Sequence, residues 1–564
     1  MAVVPYPMSS GQLTFFVAFT WSLLAWLYAE LLHWLKPCMP HRRDDEQGDS
    51  EKGRLLPTVN GDAGSAAADV AKPAGEGQAS AVVAEAPPPA LSKPAPEVGF
   101  GVHGDMMTSI AHSGFVGCLL LRQKSLIQHR LTLRATVEFG ALMLWYFLCD
   151  RTTIVPEGPK TYSRDLFFFI FVVLTAVAAG SSIQAFKLPL LLNRPQTEEW
   201  KGWMQVLFLL YHYFEAREAY NAIRLFIAAY VWMTGFGNFS YYYRTGDFCI
   251  GRFAQMFWRL NFLVFFTCVV LNNSYMLYYI CPMHTIFTVF VYLALAIAPH
   301  TNQSNFWCLT KIAGCFVFIY IFWDIKSVFY AVWKPFTWLM GYIDPRKPGD
   351  DPLYEWFFRS SLDRYIWIYG MLCAFMHPPF AAFLKYVDEL TPVRRLTMRI
   401  GVLASCAVAM YFYTVHVFIL PKVEYNKVHP YTSWIPITIW IIVRNITPNL
   451  RIYHLRLYGW LGCITLETYI CQFHVWMKTT MPNGQPKGLL VLIPGYPLLN
   501  FALVSAMYIL ISHRLFELTN TLKNAAVPHS NDSLLARNCV VMAVTGAVLW
   551  GGVAALKGLV NAVE

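Results

Sequence analysis

The chain has 564 residues, of which 56% are hydrophobic, 16% are aromatic and only 14% are charged, and its mean hydropathy is +0.40. Soluble globular proteins carry about 25% charged residues, so this composition excludes an ordinary soluble enzyme. The formal net charge of +10 is spread over polar stretches between apolar runs, as in loops facing anionic lipids, and indicates no nucleic-acid binding. The 13 cysteines form no Cys-x-x-Cys pair, so we expect neither a metal site nor a disulfide framework.

Repeated apolar runs predict an all-α polytopic membrane protein, because a helix of about 20 residues spans the hydrocarbon core of a bilayer. We expect about 12 to 13 transmembrane helices from the hydropathy pattern. Residues 1–36 are predicted to form an N-terminal transmembrane anchor rather than a cleavable signal peptide. Residues 37–112 are rich in Ala, Pro, Gly and acidic residues, which predicts a disordered low-complexity linker. Residues 113–564 then form one multi-span domain.

The apolar segments follow one another along the chain with short polar connections. The apolar segments are 12–34, 135–148, 166–185, 198–218, 221–236, 253–271, 276–298, 307–332, 362–375, 398–420, 434–443, 457–476, 488–511 and 540–560, of which about 12 to 13 are expected to cross the membrane. Residues 115–133 mix leucines with basic residues and are predicted to form one amphipathic interfacial helix. A turn is predicted at 235–238, and polar loops are predicted at 341–359 and 425–431. Basic residues at 41–43 would place the linker in the cytosol, but acids follow at once, so the sequence assigns no orientation.

The segment that begins at Glu198 combines polar residues with a hydrophobic run. Lys201, Gln205 and His212 fall on one face of an ideal helix, with Lys201 and His212 roughly 16 Å apart along its axis. Such a stripe is not compatible with lipid and must face protein or a wet cavity. One alternative is that these groups pair with other helices and only hold the bundle together. We favour a functional site, because this segment holds more ionisable residues than packing needs.

Other apolar segments also contain ionisable side chains, each of which costs about 2.5–3.5 kcal/mol to place in a membrane. These are Glu215, Arg224, Arg259, His284, Glu467 and His474. Histidine suits a general base, and arginine and lysine suit anionic groups such as phosphates. We therefore expect a polar intramembrane site in an enzyme or a transporter. His212 is its base, Glu215 orients the imidazole, and Lys201, Arg224 and Arg259 bind an anionic acyl donor.

Structural alternatives remain for three of these residues. His284 follows Pro282 and could instead bond the backbone that the proline leaves free. Glu467 and His474 are seven residues apart on one helix face and could be a structural pair.

Two motifs resemble the acyltransferase-three superfamily. Lys201-Gly202 followed by His212 resembles its Arg-Gly…His signature, in which the histidine is taken as catalytic and the arginine contacts acyl-CoA. The stretch from Leu461-Gly462 to His474 resembles its late helix motif. Lysine in place of arginine keeps the charge and loses the planar fork. The resemblance implies a bundle of that type with a polar intramembrane cavity.

A closer resemblance is to the plant reduced wall acetylation proteins, which belong with the sialic-acid and fungal-capsule O-acetyltransferases. The stretches that carry it are 196–205, 221–242, 278–285, 362–367, 425–436 and 513–520. The resemblance implies a multi-pass Golgi membrane protein that uses cytosolic acetyl-CoA for O-acetylation of xylan, xyloglucan and pectin. The animal and fungal relatives carry a lumenal SGNH domain where this chain has only the linker. Final transfer would then belong to separate lumenal enzymes, such as trichome-birefringence-like acetyltransferases.

The sequence thus leads to two sets of site residues and three hypotheses. The catalytic candidates are His212, Glu215, His284, Glu467 and His474, and the donor-binding candidates are Lys201, Trp203, Gln205, Arg224 and Arg259. The favoured hypothesis is a membrane acetyltransferase or acetyl-relay enzyme with His212 as base or transient acetyl carrier. The alternatives are a transporter of the acetyl donor without covalent chemistry and a scaffold for lumenal enzymes.

Overall fold

The computed structural model describes residues 6–35, 114–528 and 532–563 of the chain. These residues form a bundle of long helices with a few strands of two or three residues, which confirms the predicted all-α polytopic membrane fold. The predicted linker, residues 37–112, lies outside the described residues.

The elements follow in chain order. The helices of the first half are α1 (Ser10–Leu35), α2 (Gly114–Leu119), α3 (Gln123–Gln128), α4 (Arg130–Arg151), α5 (Arg164–Ser181), α6 (Arg194–Phe214), α7 (Tyr220–Thr245), α8 (Ile250–Leu271), α9 (Ile280–Ala296), α10 (Asn305–Ile319), α11 (Lys326–Trp333) and α12 (Thr337–Met340). Those of the second half are α13 (Tyr354–Leu362), α14 (Ile366–Phe375), α15 (His377–Glu389), α16 (Pro392–Tyr413), α17 (Lys422–Thr432), α18 (Trp434–Asn445), α19 (Pro448–Ile452), α20 (Arg456–Cys463), α21 (Thr465–Cys471), α22 (Pro497–Ala526) and α23 (Asp532–Val563). The strands are β1 (Glu157–Pro159), β2 (Ile183–Ala185), β3 (Tyr453–Leu455), β4 (Met477–Lys478) and β5 (Gly488–Leu490). Short π-helical segments follow α10, α16 and α21, at Tyr320–Asp324, Thr414–Phe418 and Gln472–Trp476.

Among the described residues, eight helices are long and apolar enough to cross a membrane. The number is nine if Tyr354–Phe375 and α15, which are bent by 56° relative to each other, form one broken span. This count is below the 12 to 13 spans expected from the sequence. The difference has three sources, one of which is that the span expected at 457–476 is divided into α20 and α21. Helices α6 and α7, with 21 and 26 residues, are long enough but carry too many polar groups, and α9 and α18 are short. The helices that hold the site are therefore the ones that resemble membrane spans least.

Several predicted loops, turns and helix boundaries are wrong. The turn expected at 235–238 lies inside the continuous helix α7, and the loop expected at 425–431 lies inside α17, which contains Pro430. The single helix expected at 115–133 is instead the pair α2 and α3, after which α4 begins at Arg130. The loop expected at 341–359 ends at Tyr354, where α13 begins, and the span expected at 488–511 begins only at Pro497.

Glycines allow two helix pairs to approach until their main chains touch. A Cβ atom on Gly235 of α7 would overlap the carbonyl of Trp367 in α14, and one on Gly370 of α14 would overlap the carbonyl of Trp232 in α7. Small residues permit such close crossings in membrane bundles. This packing role explains why Gly235 does not make a turn.

The crossing of α6 with α20 is built in the same way. A Cβ atom on Gly202 would overlap the carbonyl of Tyr458, and one on Gly462 would overlap the carbonyl of Glu198. The two motifs noted in the sequence therefore meet, and their glycines bring the helix with His212 against the helix before His474.

A small antiparallel sheet covers one end of the bundle, which we call the capped end. Its strand order is β1-β5-β4, with Gly158 opposite Leu489 and Met477 opposite Leu489. The sheet ties the loop after α4 to the loop after α21, and both loops reach the end of α6 at Phe214. At the opposite end, Glu30 near the end of α1 pairs with Arg130 at 2.8 Å.

Replacing Gly235 with alanine should lower the melting temperature of the protein in detergent. Overpacking a close crossing costs about 1–3 kcal/mol, more than the gain of about 1 kcal/mol in helix propensity. Gly237→Ala is the matched control, because nothing lies within 4 Å of a Cβ atom at Gly237 in the same helix. The two melting temperatures can be compared by following tryptophan fluorescence on heating. Equal stability of the two variants would contradict the close crossing.

Candidate active site

Helix α6 presents the residues that the sequence singles out. The side chain of Asn193 caps its first turn by accepting a hydrogen bond from the Gln196 amide at 2.9 Å, and Pro195 occupies its start. The helix ends at Phe214, after which Glu215 adopts a left-handed conformation with φ 56°. His212 therefore lies in the last turn, near the capped end of the bundle.

A main-chain carbonyl determines which nitrogen of the His212 ring carries the proton. Its Nδ1 lies 3.1 Å from the carbonyl oxygen of Phe208 in the preceding turn. A carbonyl can only accept, so Nδ1 carries the proton and Nε2 carries the lone pair. The rings of Phe208 and Tyr211 pack edge-on against the imidazole, at centroid distances of 4.4 and 5.0 Å. No described residue forms a hydrogen bond with Nε2, which is the nitrogen that can act as a base or nucleophile.

A lysine from the loop after β1 closes the end of α6. The Nζ of Lys160 donates to the carbonyl oxygens of His212 and Pro486, both at 2.9 Å. Burial lowers the pKa of Lys160 to about 8, and the nearby carboxylate of Glu215 acts in the opposite direction. A positive charge here is favourable because the last carbonyls of a helix carry partial negative charge. The sequence contains no local signal for this contact, which joins residues 52 positions apart.

Glu215 does not orient the imidazole, so that prediction is wrong. Its Oε1 accepts from Nη2 of Arg217 at 2.6 Å, and the side chain is exposed. Glu215 lies beyond the end of the helix, in a left-handed conformation, and the Phe208 carbonyl orients the ring instead.

The donor-binding candidates at the other end of α6 all have partners within the protein. The Nζ of Lys201 lies 2.5 Å from Oε2 of Glu198. The Nε2 of Gln205 donates to Oγ1 of Thr468 at 3.0 Å, and its Oε1 accepts from Tyr230 at 3.2 Å. Separately, the ring of Trp203 packs edge-on against two aromatic rings, of Phe226 and Trp440, at 5.3 and 5.2 Å. Gln205 and Trp203 thus join α6 to other helices, whereas Lys201 pairs within α6.

Arg224 belongs to a buried cluster that the sequence did not reveal. Its Nη2 lies 2.5 Å from Oδ2 of Asp363, and no described residue accepts from its Nε or Nη1. The Nε2 of His429 lies 3.5 Å from the other oxygen of Asp363, and its Nδ1 is 3.0 Å from the hydroxyl of Tyr425. His429 was expected at a loop beside Pro430, whereas it is completely buried in α17. The only signal was that these residues lie in stretches that carried the family resemblance.

Glu467 and His474 do not pair with each other. The buried carboxylate of Glu467 accepts two bonds from Arg259, one of them at 2.8 Å from Nη2 to Oε2. His474 bonds Oδ2 of Asp150 through Nδ1 at 2.9 Å and the hydroxyl of Tyr278 through Nε2 at 2.5 Å. The π-helical segment that begins at Gln472 changes the helix periodicity, so residues seven apart no longer share a face.

Both nitrogens of His474 are used in a network that fixes the cap. Asp150 also accepts from the amide of Thr479 at 2.6 Å and from its hydroxyl at 2.7 Å. The neighbouring Met477 places its sulfur 3.2 Å from Nζ of Lys160. His474 therefore helps to position the segment that holds Lys160 over the end of α6.

His284 bonds a side chain rather than backbone freed by the proline. Its Nδ1 lies 2.6 Å from the hydroxyl oxygen of Thr234 in α7. Asp363 and Lys201 lie within electrostatic range of its ring. His284 therefore lies near both the Arg224 cluster and α6. Its catalytic role remains a prediction.

One further cation stands near His212. Arg359 of α13 lies within electrostatic range of the imidazole, with its guanidinium carbon 4.6 Å from the ring centre of Tyr279. Arg359 is absent from the predicted site residues, because the sequence pattern predicts a polar loop at 341–359. No group of three or more metal-ligating side chains is present in residues 6–35, 114–528 and 532–563.

Comparisons with known proteins agree with this architecture. Residues 119–539 match the family described as "10 TM Acyl Transferase domain found in Cas1p". The chain is also 32% identical over 465 residues to the zebrafish (Danio rerio) N-acetylneuraminate (7)9-O-acetyltransferase, a match that covers 79% of this chain and 55% of that protein. The chain thus spans about half the length of this curated relative. No solved structure matches the chain. The family match covers most of the chain, which therefore belongs to the family of ten-transmembrane acyltransferase domains.

Proposed function

We propose that this protein is a membrane O-acetyltransferase, or acetyl-relay enzyme, that uses cytosolic acetyl-CoA to supply acetyl groups for polysaccharides in the Golgi lumen. The observation that carries the proposal is the hydrogen bond from Nδ1 of His212 to the Phe208 carbonyl, which leaves Nε2 as a free lone pair. A neutral imidazole with a defined tautomer suits general-base or nucleophilic catalysis near neutral pH.

In the direct route, His212 acts as a general base. Its Nε2 takes the proton of an acceptor hydroxyl while the hydroxyl oxygen attacks the thioester carbonyl. The carbon–sulfur bond breaks, and the leaving thiolate takes the proton from the imidazolium. The products are the O-acetyl ester and free CoA, and His212 returns to its neutral form.

In the relay route, His212 carries the acetyl group. Its Nε2 attacks the thioester, so that a carbon–nitrogen bond forms, the carbon–sulfur bond breaks and CoA leaves as a thiolate. An acceptor oxygen then attacks the acetyl carbon, the carbon–nitrogen bond breaks and the acceptor proton passes to solvent. This route allows the donor and acceptor to meet His212 at different times.

The acceptor side of the proposal rests on family resemblance. The zebrafish relative is by name an O-acetyltransferase of a sugar, N-acetylneuraminate. The resemblance to reduced wall acetylation proteins supports xylan, xyloglucan and pectin as final acceptors in the Golgi. Acetyl would reach them directly or through lumenal trichome-birefringence-like acetyltransferases, with the protein held in the lipid bilayer.

A transporter is the second candidate, because cations at the capped end could bind an anionic donor and release it intact. Lys160 and Arg359 lie within electrostatic range of His212 and would serve either function. The two candidates differ in products: an enzyme frees CoA on the donor side, whereas a transporter moves the whole donor.

Replacing His212 with alanine should abolish acetyl transfer in lipid vesicles that contain the purified protein. Acetyl-labelled acetyl-CoA is supplied outside, and both CoA release and labelled acetyl on an acceptor trapped inside are followed. We expect wild type to show the two signals together and His212→Ala to lose both. His300→Ala, in an exposed segment, is the control and should behave like wild type. Intact donor inside the vesicles, moved equally well by His212→Ala, would support the transporter and contradict the catalytic role.

The rate of CoA release should fall on the alkaline side of a midpoint near pH 8. Lys160 is charged below its pKa of about 8 and becomes neutral above it, so the end of α6 loses its cation as the pH rises. Lys160→Arg should move this midpoint upward by more than about one pH unit, because arginine stays protonated throughout. Lys160→Met should be slow at every pH. An unchanged profile in Lys160→Arg would show that another group causes the alkaline loss.

A further inference from the structure

We propose that the phosphates of the acyl donor bind at a basic mouth at the capped end, formed by Arg359 and Lys422. This inference rests on the proposed function, in which the donor is a phosphate-bearing thioester. It places the donor where α6 ends and α7 begins, rather than at the cations selected from the sequence.

The cations selected from the sequence are already neutralised by carboxylates. Lys201 pairs with Glu198, Arg224 with Asp363 and Arg259 with Glu467. To bind a phosphate, each would have to leave a buried or half-buried counter-ion. Breaking such a pair strands a charge in low-dielectric surroundings, which is strongly unfavourable.

Arg359 also pairs with a carboxylate, that of Glu355, but its terminal nitrogens remain unbonded and its side chain is far more accessible than that of Arg224, which is 2% exposed. Only its Nε makes a hydrogen bond, to Oε2 of Glu355 at 3.0 Å, and no described residue accepts from its two terminal nitrogens. The guanidinium packs on the ring of Tyr279, and the side chain keeps 27% of its surface accessible. A stacked guanidinium with free terminal nitrogens is suited to bidentate binding of phosphate.

Lys422 stands beside Arg359 at the start of α17. Its Nζ lies 4.7 Å from the ring centre of Tyr220, and no carboxylate among the described residues forms an ion pair with it. Arg359 is within electrostatic range of both Lys422 and Tyr220. The hydroxyl of Tyr220 bonds Oδ1 of Asn426 at 3.1 Å, which fixes the ring against which Lys422 packs.

Lys160 connects this mouth to the reactive nitrogen. It bonds the carbonyl of His212, and both Lys160 and Arg359 lie within electrostatic range of the imidazole. Acetyl-CoA carries its phosphates at one end and its thioester at the other. A cationic mouth outside and His212 inside would hold the two ends of one donor.

The mouth also assigns a side of the membrane. Gln12, near the start of α1, donates to the carbonyl of Val270 at 2.9 Å, and Arg151 donates to the adjacent Leu271 carbonyl at 3.1 Å, so α1 begins at the capped end. If the donor is cytosolic, the capped end faces the cytosol and the end of α1, at Leu35, faces the lumen. This orientation is opposite to the one that basic residues 41–43 would favour.

The test compares acetyl-CoA with S-acetylpantetheine, which has the same thioester and no phosphate. Purified protein in lipid nanodiscs is assayed for thiol release, as wild type, Arg359→Gln and Lys422→Gln. We expect the KM for acetyl-CoA to rise about tenfold in each variant, which corresponds to about 1.4 kcal/mol, with kcat little changed. The KM for S-acetylpantetheine should not change. Lys427→Gln is the matched control, an exposed lysine of α17 paired with Glu424 at 2.8 Å.

Each outcome has a distinct meaning. An unchanged KM for acetyl-CoA in both variants, with a raised KM in Lys201→Gln, overturns the basic mouth and leaves the proposed function intact. Absence of thiol release in wild type with either donor contradicts the proposed function itself.

Calorimetric binding of CoA needs no acetyl transfer and separates these failures, because the mouth predicts weaker CoA binding in Lys422→Gln. Lys422 is exposed, so this variant tests the site even if Arg359→Gln does not fold.

Discussion

One main-chain carbonyl of α6, that of Phe208, sets the tautomer of the imidazole on which the proposed function depends. By accepting from Nδ1 of His212, the Phe208 carbonyl holds the imidazole in one tautomer and leaves the lone pair of Nε2 free. The cap around the last turn of α6 depends on the same geometry. Lys160 bonds the carbonyl of His212, and the Asp150–His474 network fixes the loop that packs against Lys160.

The polar groups inside the bundle fall into two classes with different consequences. Most are satisfied by partners on other helices, as Gln205 is by Thr468 and Glu467 is by Arg259, and they set the register of the bundle. A smaller class, at the capped end, keeps unused hydrogen-bonding capacity, as Arg359 does. Burial and charge alone do not separate the two classes. What separates them is whether each polar group has a hydrogen-bonding partner, and these partners are distant in sequence.

The sequence predicted the membrane fold and the helix that carries His212, because hydropathy and helical periodicity are local properties. It could not predict that Gly235 lies at a close helix crossing instead of a turn, because the carbonyl that contacts Gly235 belongs to the distant residue Trp367. It also could not separate Glu467 from His474, because one π-helical turn rotates one side chain relative to the other. Arg359 could not be identified from the sequence either, because it lies on Tyr279 and within electrostatic range of His212 only in the folded chain.

In the proposed function, the acyl donor meets Nε2 of His212 from the capped end. The most direct measurement is an electron cryo-microscopy structure of the protein with an unreactive thioether analogue of acetyl-CoA. This arrangement predicts the carbon that replaces the thioester carbonyl within about 3.5 Å of Nε2, a near-attack distance, with the phosphates at Arg359 and Lys422. An analogue bound near Lys201, with its reactive carbon far from His212, would contradict it.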